Sequence, residues 1–338
     1  MTRIVSYNIL AGGYRARNSK HGERRTSELV NIIRSADPDI VGIIEAINPE
    51  RNTHPNVVEE VADILGMQYV PGSTGQLSSD YRSALLTRLP IVHTHVHERP
   101  GIITKPLLEV CVEEADGQQL TAFVTHMSSA FSRGRGGGSL RLREAQEIVR
   151  ILEPLRQQQK PHFLMGDFNS LAPGDPFQAH RLVRYVSRID RLASTYVSAE
   201  GNPHLNSVVP KKLRFLNPLL RVIPNHALLS AAFDWAAGLY VPRASIGYFK
   251  QVGYVDCYRY KYPRGYGFTC PAADPAGRID YIFASPDLVE RLEDCHEIVV
   301  GKGTAGRDAS DHLAVTATFG VKVQQTLSEI EVGGAAQR

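Results

Sequence analysis

Short apolar runs that each end in a single polar residue are the feature that most restricts how this chain can fold. Such runs are typical of buried strands. Segments with a helical spacing of apolar residues lie between them, so strands and helices alternate along the chain. Four of the runs cover residues 3–7, 40–44, 120–125 and 162–166, and the polar residues that follow them are Asn8, Glu45, His126 and Asp167.

This alternation predicts an α/β fold with its chemistry at one edge of a sheet, because open α/β sheets bind their ligands at the strand ends. Two later strands are predicted over residues 277–285 and 313–319, and Ser310, Asp311 and His312 precede the second of them. If the last strand runs antiparallel to the earlier ones, these three residues reach the same edge. The sheet is then a mixed one.

The composition excludes several other classes of protein. A chain of 338 residues with 22% charged residues and a net charge of +3 is not disordered, collagen-like or a coiled coil. No secretory peptide or membrane span is recognisable, and the four cysteines lack the spacing of a zinc or redox motif. We therefore expect a cytoplasmic protein with reduced thiols.

The polar residues at the predicted edge suit metal-assisted chemistry on a phosphate. Glu45 and Asp311 offer the hard oxygen ligands that Mg²⁺ and Mn²⁺ prefer. His312 needs a partner that fixes its tautomer, and a second carboxylate can supply it. Asp167 can orient or deprotonate a water molecule, and the amide of Asn169 can donate to a charged phosphoryl oxygen.

Three short motifs follow one another in the sequence: Gly-Asp-Phe-Asn at 166–169, Arg-Ile-Asp-Tyr at 278–281 and Ser-Asp-His at 310–312. Together with Glu45 and His126, this series resembles the endonuclease/exonuclease/phosphatase superfamily, whose members have the DNase I-like fold. The resemblance extends over nearly the whole chain, from Asn8 to His312. It implies a four-layer α/β sandwich, in which two mixed β-sheets pack face to face with helices outside.

The resemblance also favours one domain over two, and this domain is expected to cover residues 1–320. The turn-rich stretch at about 175–254 lies between two well-formed strand motifs, so we expect it to be an insertion. Residues 321–338 are polar and rich in glycine and alanine, and we expect them to form a loose tail.

Carried over residue by residue, the resemblance implies a role for each residue at the edge. The implied metal ligands for Mg²⁺ or Mn²⁺ are Asn8, Glu45 and Asp311, and the implied catalytic residues are His126, Asp167, Asn169, Asp280 and His312. In this assignment Asp280 orients His312, whereas the alternative is that Asp280 only braces its strand by pairing with Arg278. Tyr7 and Ile44 stand where many members carry Trp and Gln. This difference bears on which subfamily the chain resembles more than on its activity.

A basic stripe is the first of three features that could contact the substrate. Arg181, Arg184 and Arg188 recur at helical spacing opposite apolar residues. The stretch 181–221 carries eight Lys or Arg residues and two acidic residues, a net charge of +6. The stripe suits a polyanion or an acidic membrane surface, and the alternative is a solvated helix face.

A glycine-rich loop and an aromatic segment are the other two features. Arg133 and Arg135 follow His126 in a loop that could close over a phosphate or be an ordinary surface loop. Tyr260 lies in a segment, 258–266, where rings and cations interleave. If that segment is extended, its rings share one face and could stack on bases, or could simply pack as the apolar side of a strand.

These observations favour a Mg²⁺- or Mn²⁺-dependent phosphodiesterase that acts on nucleic acid by in-line attack of an activated water. One alternative is a phosphatase or phosphodiesterase for phospholipid or inositol-phosphate head groups, with peripheral membrane contact through the basic helix and the apolar stretch 219–233. A second alternative is a non-catalytic protein that binds metal or nucleic acid. No feature of the sequence indicates a protein partner.

Overall fold

The computed structural model describes residues 1–14, 24–47, 55–73, 81–129, 137–193, 215 and 217–321, with residues 190–193 described by their backbone alone. Within these ranges the chain forms two six-stranded β-sheets and a two-stranded hairpin. The hairpin consists of β12 (Val300–Gly301) and β13 (Thr304–Ala305).

The first sheet joins strands from both ends of the described chain. In the order of pairing, its strands are β11 (Leu292–Ile298), β14 (Ala314–Phe319), β1 (Thr2–Asn8), β2 (Ile40–Ile47), β4 (Tyr81–Thr87) and β3 (Gln68–Pro71). Strand β1 runs parallel to β2 and antiparallel to β14. The sheet is therefore mixed, and the segment before β14 reaches the edge where β1 and β2 end, as predicted.

The second sheet has the same mixed character. In the order of pairing, its strands are β5 (Ile91–His97), β6 (Leu107–Glu113), β7 (Gln119–His126), β8 (His162–Asp167), β10 (Asp280–Ala284) and β9 (Val255–Asp256). Strands β7 and β8 are parallel, and β10 is antiparallel to β8. In this register Asp167 lies between His126 on one neighbouring strand and Asp280 on the other.

The helices pack outside the two sheets or in the region before β9. They are α1 (Thr26–Ser35), α2 (Val57–Leu65), α3 (Gly138–Gln157), α4 (Ala179–Ala193), α5 (Asn217–Leu220), α6 (Ala227–Tyr240), α7 (Ala244–Gln251), α8 (Cys257–Lys261), α9 (Pro286–Val289) and α10 (Gly306–Ala309). Helices α1 and α2 cover the outer face of the first sheet, and α3 and α7 cover the outer face of the second.

Alternation of side chains along each strand creates the layers. Ile44 of the first sheet and Val124 and Met165 of the second belong to one buried cluster between the sheets. The neighbouring Ile43 faces the other way and packs in the cluster with α1 and α2. Because both faces of each sheet are covered, the fold is the four-layer α/β sandwich that the resemblance implies, and this prediction is confirmed.

Helix α2 shows how directly local sequence sets an element. Asn56 precedes it, and its side chain accepts a hydrogen bond from the backbone N–H of Val58. Gly66 ends the helix with a left-handed φ of 66°, which glycine adopts without strain. The capping Asn and the terminating Gly therefore stand in the sequence at the residues where the helix begins and ends.

Part of the predicted insertion at about 175–254 stands apart from the sandwich. Val183 and Val186 of α4 form a small buried cluster with Leu220 and Ile223, against which Phe233 of α6 packs. Helix α7 instead packs on α3 in the outer layer. Among the described residues, no helix combines the length and the apolar character needed to cross a membrane.

The prediction of an extended aromatic segment at 258–266 is wrong. Residues Cys257–Lys261 form α8, because the side chain of Asp256 accepts a hydrogen bond from the backbone N–H of Arg259 and so caps a helix. Tyr258 is buried, whereas Tyr260 is 55% exposed. The rings therefore do not share one face of a strand.

Candidate active site

Strands β1 and β2 bring Asn8 and Glu45 together at one edge of the first sheet. The side-chain Nδ2 of Asn8 lies 3.4 Å from Oε1 of Glu45, and the backbone N–H of Ala11 donates to Oε2 at 2.9 Å. Glu45 has a φ of 65°, a left-handed conformation that costs a non-glycine residue free energy. The strain coincides with an interruption in the pairing of β2 with β4, and it lies at the residue predicted to bind metal.

The end of β8 carries Asp167 and Asn169 on a tightly packed backbone. Gly166 has a φ of 144°, and a Cβ atom there would lie 1.9 Å from the carbonyl oxygen of Thr125, so glycine alone fits. The backbone N–H of Asn169 donates to Oδ1 of Asp167 at 2.8 Å, and its side-chain Nδ2 donates to the carbonyl of Met127 at 3.0 Å. These bonds fix both side chains at the strand end.

Asp167 joins the two sheets at the centre of the site. Its Oδ2 accepts a hydrogen bond from Nδ2 of Asn8 at 3.1 Å. The same oxygen lies 3.6 Å from Nε2 of His126 and 3.9 Å from Nε2 of His312. Three buried side chains from distant parts of the chain therefore converge on this one oxygen of the buried Asp167: Asn8, His126 and His312.

His312 is held by Asp280, as the resemblance implies. Its Nδ1 lies 2.9 Å from Oδ2 of Asp280, which leaves Nε2 directed toward Asp167. Arg278 binds Asp175 and Asp256 instead, with N–O distances between 2.6 and 3.0 Å. The alternative pairing of Asp280 with Arg278 is therefore absent.

The surroundings drive the pKa values of these groups apart. Burial, together with the neighbouring Asp280, raises the pKa of Asp167 to about 7. Burial alone would lower the pKa of His312, but Asp280 raises it well above its usual value. Burial and the nearby Lys105 lower the pKa of His126 well below its usual value. These shifts favour the neutral form of His126 and the charged form of His312, on either side of Asp167.

Lys105 belongs to the site and is absent from the predicted set. Its Nζ lies 2.7 Å from a ring nitrogen of His126, and burial lowers the pKa of the amine against the opposing pull of Glu45 and Asp167. The residue precedes β6, which is antiparallel to β7. A residue that precedes an antiparallel strand lies near the end of the strand beside it. This rule predicted the position of Ser310 to His312, and it also locates Lys105 near the end of β7.

An open cavity of about 220 Å³ lies beside the site, and Arg25, Tyr185 and Asp311 are among the eight residues that line it. Burial and the proximity of Glu45 raise the pKa of Asp311, so its carboxylate interacts with the other predicted ligands. Arg25 binds the backbone carbonyls of Ile9, Leu10, Tyr14 and Ala309. Tyr185 comes from α4, so the region beyond the sandwich contributes a wall of the cavity.

The donor atoms at this edge fit a hard divalent cation. In the described parts of the chain, one group of possible ligands, Asp167, Asp280 and His312, has donor atoms within 4.8 Å of one another. Glu45 and Asp311 add two carboxylates, and their mutual repulsion contributes to the raised pKa of Asp311. A divalent cation would relieve this repulsion, and a set dominated by carboxylate oxygens is of the kind that hard cations prefer.

The residues predicted to contact substrate are not brought together in the same way. Arg184 forms a bidentate pair with Asp274 at 2.6 and 2.7 Å, and Arg181 donates to the carbonyl of Pro275 at 3.2 Å. Arg188 is exposed on α4. Arg133 and Arg135 lie outside the described residues, and Tyr260 is exposed on α8. Their contacts with substrate remain predictions.

Comparison with known proteins agrees with the architecture. The AP endonuclease from Archaeoglobus fulgidus has a TM-score of 0.53 at 16% identity, covering 95% of this chain and 100% of that one. A variant of the 3′ phosphatase NExo from Neisseria, bound to a product DNA hairpin, has a TM-score of 0.55 at 15% identity, with 94% and 99% covered. Truncated TDP2 from Caenorhabditis elegans has a TM-score of 0.54 at 14% identity, with 95% and 97% covered. Among curated proteins, none matches the sequence significantly.

These structural similarities show the fold, and the match to a family model shows the family. The model of the Endonuclease/Exonuclease/phosphatase family matches residues 5–312. The matched range includes each strand end that contributes to the site, from Asn8 and Glu45 to His312. This protein is a member of the endonuclease/exonuclease/phosphatase family and a phosphoesterase.

Proposed function

We propose that the protein is a Mg²⁺- or Mn²⁺-dependent phosphodiesterase that cleaves nucleic acid by in-line attack of water. The observation that carries this proposal is the position of Asp167, whose Oδ2 lies 3.6 Å from Nε2 of His126 and 3.9 Å from Nε2 of His312. A carboxylate whose pKa is about 7 is suited to accept a proton at neutral pH. His312, whose charged form Asp280 favours, supplies positive charge to the phosphate.

The roles of the side chains follow from their hydrogen bonds. Asp167 accepts the proton of the attacking water, and one carboxylate oxygen stays fixed by the backbone of Asn169. His312 donates from Nε2 to a phosphoryl oxygen, because its Nδ1 is engaged with Asp280. Lys105 adds a second positive charge beside His126. Together these donors stabilise the charge that develops on the phosphate.

Enzymes of this family generally depend on a divalent metal, and Glu45, Asn8 and Asp311 are our proposed ligands. When bound, Mg²⁺ or Mn²⁺ would neutralise phosphate charge and stabilise the leaving oxygen. The predicted domain limits, 1–320 with an insertion at about 175–254, are part of the proposal. The four free cysteines support a reducing compartment, and we propose the cytoplasm.

Nucleic acid is proposed as the substrate because two structural neighbours are an AP endonuclease and a 3′ phosphatase bound to a DNA hairpin. A phospholipid or inositol-phosphate head group is the second candidate. It is favoured by one observation on this chain, the exposed apolar face of α6, where Leu228 and Trp235 are 87% and 71% exposed.

A hydrolysis screen separates these substrates. Purified protein is assayed with Mg²⁺ or Mn²⁺ against single- and double-stranded DNA, abasic DNA, RNA, inositol phosphates, sphingomyelin and a chromogenic phosphodiester. Asp167→Asn serves as the inactive control, because it removes the proton acceptor and keeps a similar shape. Cleavage of nucleic acid that requires both metal and Asp167 supports the proposal. Turnover of lipid head groups alone selects the second candidate, and absence of all turnover contradicts both.

A further inference from the structure

Helix α6 turns its apolar face toward the solvent. Trp235 lies seven positions after Leu228, and Leu239 lies four positions after Trp235, so the three share one side of the helix. Their exposed fractions are 87% for Leu228, 71% for Trp235 and 61% for Leu239. A surface helix normally places such a stripe against the core, so the usual arrangement is inverted here. Three smaller apolar residues of the helix are also exposed: Ala231, Ala232 and Ala236.

The polar residues of α6 fix this inverted orientation, because they face the protein. The hydroxyl of Ser230 donates to the carbonyl of Ile223 at 3.0 Å. Asp234, the one charged residue of the helix, accepts from the backbone N–H of His180 at 2.8 Å and lies 2.7 Å from its Nδ1. A rotation of α6 that buried the apolar stripe would break these bonds.

Apolar exposure continues beyond the helix. Leu219 and Val222 in the preceding turns are 55% and 44% exposed, and Phe215 is 75% exposed. We call this set, with the outward face of α6, the apolar patch. Scattered exposed apolar residues are ordinary, but a concentration of large ones within one short region marks an interaction surface.

Basic residues accompany the apolar patch. Arg184 and Arg221 line a cavity of about 170 Å³ together with Ser187, Pro224 and Asn225. Arg188 is exposed on α4, which packs directly against α6. An apolar face containing Trp and Leu and accompanied by Lys and Arg is the combination that binds acidic membrane interfaces.

We propose that the apolar patch docks on an anionic phospholipid membrane, with α6 lying in the interface and Arg188 and Arg221 meeting lipid phosphates. Charge decides between this occupant and others. A second copy of the chain would bring two basic surfaces together, which repel. Nucleic acid would satisfy the arginines but leave the leucines and alanines of α6 in water.

The patch is also connected to the active site. Helix α4 carries His180, which holds Asp234 of α6, and Tyr185, which lines the cavity beside Asp311. The apolar patch and one wall of the active-site cavity therefore depend on the same helix, α4. The docking itself does not depend on the proposed catalysis, because it rests on surface residues alone.

The single tryptophan makes docking directly measurable, since Trp235 is the only one in the chain and lies in the patch. The full chain is mixed with vesicles of phosphatidylcholine, with or without phosphatidylserine. We expect the emission of Trp235 to shift to shorter wavelength and the protein to co-sediment when phosphatidylserine is present. Raised salt should weaken the binding, because it screens the arginines.

Matched variants assign the binding to the patch. Leu228→Ser combined with Leu239→Ser should weaken partitioning by about tenfold or more, because two apolar side chains no longer enter the interface. Arg188→Gln combined with Arg221→Gln should reduce the preference for phosphatidylserine. Val300→Ser is the control, because Val300 is 61% exposed on the β12–β13 hairpin, outside the patch.

Four results would overturn the proposal. They are an unchanged emission with anionic vesicles, equal binding to neutral vesicles, a short-wavelength emission of the monomer without lipid, and an emission shift that follows self-association. The third would mean that the chain itself covers the patch, and the fourth that a second copy does. No step measures hydrolysis, so this outcome is independent of the substrate screen.

Discussion

The catalytic edge and helix α6 depart from the ordinary distribution of polar and apolar groups in opposite directions. At the edge, Asp167, Asp280 and His312 are buried, and each is held by neighbouring groups. On α6, Leu228 and Trp235 remain in contact with solvent. Burial of charge and exposure of apolar surface both oppose folding, so the remainder of the sandwich has to offset them.

The two regions differ in what holds them. Gly166 is held by pairing with β7 on one side and β10 on the other, and the carboxylate of Glu45 is held by the backbone N–H of Ala11. Helix α6 is attached through a small cluster and the Asp234–His180 contact. Substitutions at the edge should therefore alter chemistry most, and those on the outer face of α6 should alter neither chemistry nor folding.

The largest effect is expected from Glu45→Gln, which removes a proposed metal ligand. Activity should fall by roughly a thousandfold, since metal contributes several kcal/mol of charge stabilisation. Thermal stability should stay nearly constant, because the remaining side-chain oxygen can still accept from the N–H of Ala11. Rates are measured across a Mg²⁺ titration, together with metal affinity by calorimetry.

Glu290→Gln is the matched control for this variant. Glu290 is exposed and follows α9, which comes after the end of β10, whereas Asp280 of the site is at the start of β10. Full activity of Glu45→Gln at saturating metal, with unchanged metal affinity, would remove Glu45 from the ligand set.

The next effect is expected from Asp280→Asn, which keeps the shape but removes the charge that orients His312. The chemical rate should fall by about a hundredfold or more, because the histidine loses its preferred protonation state. The pKa of His312 should move lower, since the carboxylate that raises it is gone. Single-turnover rates and an NMR titration of the histidines measure both.

The variant Asp256→Asn distinguishes a role in orienting His312 from a role in stabilising the fold. Asp256 is buried and pairs with Arg278, so its variant should unfold at lower temperature and keep its rate per folded molecule. If Asp280→Asn behaves in that same way, destabilised and fully active, Asp280 does not act through His312.

The sequence predicts the edge well because period and register are local rules. A polar residue after a buried strand must lie at the end of the sheet, which located Asn8, Glu45, His126 and Asp167. The aromatic segment from Tyr258 was misjudged because a capping aspartate, Asp256, outweighed the strand-like alternation. The inverted orientation of α6 depends on the tertiary contacts of Ser230 and Asp234, which no spacing within the helix reveals.

A smaller loss of activity is expected from Lys105→Met. Lys105 precedes a strand, so a search for polar residues directly after buried strands does not find it. Losing the amine removes one positive charge beside His126, so kcat/KM should fall by about tenfold to a hundredfold. The pKa of His126 should rise, because Lys105 no longer opposes its protonation. Lys105→Arg should restore part of the rate. A rate loss without any change in the His126 titration would place Lys105 outside contact with that histidine.

The smallest effect is expected on α6 itself. Leu228→Ser should change the free energy of unfolding by less than about 0.5 kcal/mol, because the side chain is already 87% exposed and gains nothing from folding. Val186→Ala, in the buried cluster below the helix, should cost about 1–3 kcal/mol through lost burial and the cavity left behind. Urea unfolding of both variants measures the two values. A large loss for Leu228→Ser would show that the apolar face is packed against the chain in solution, and the contrast between the two regions would then disappear.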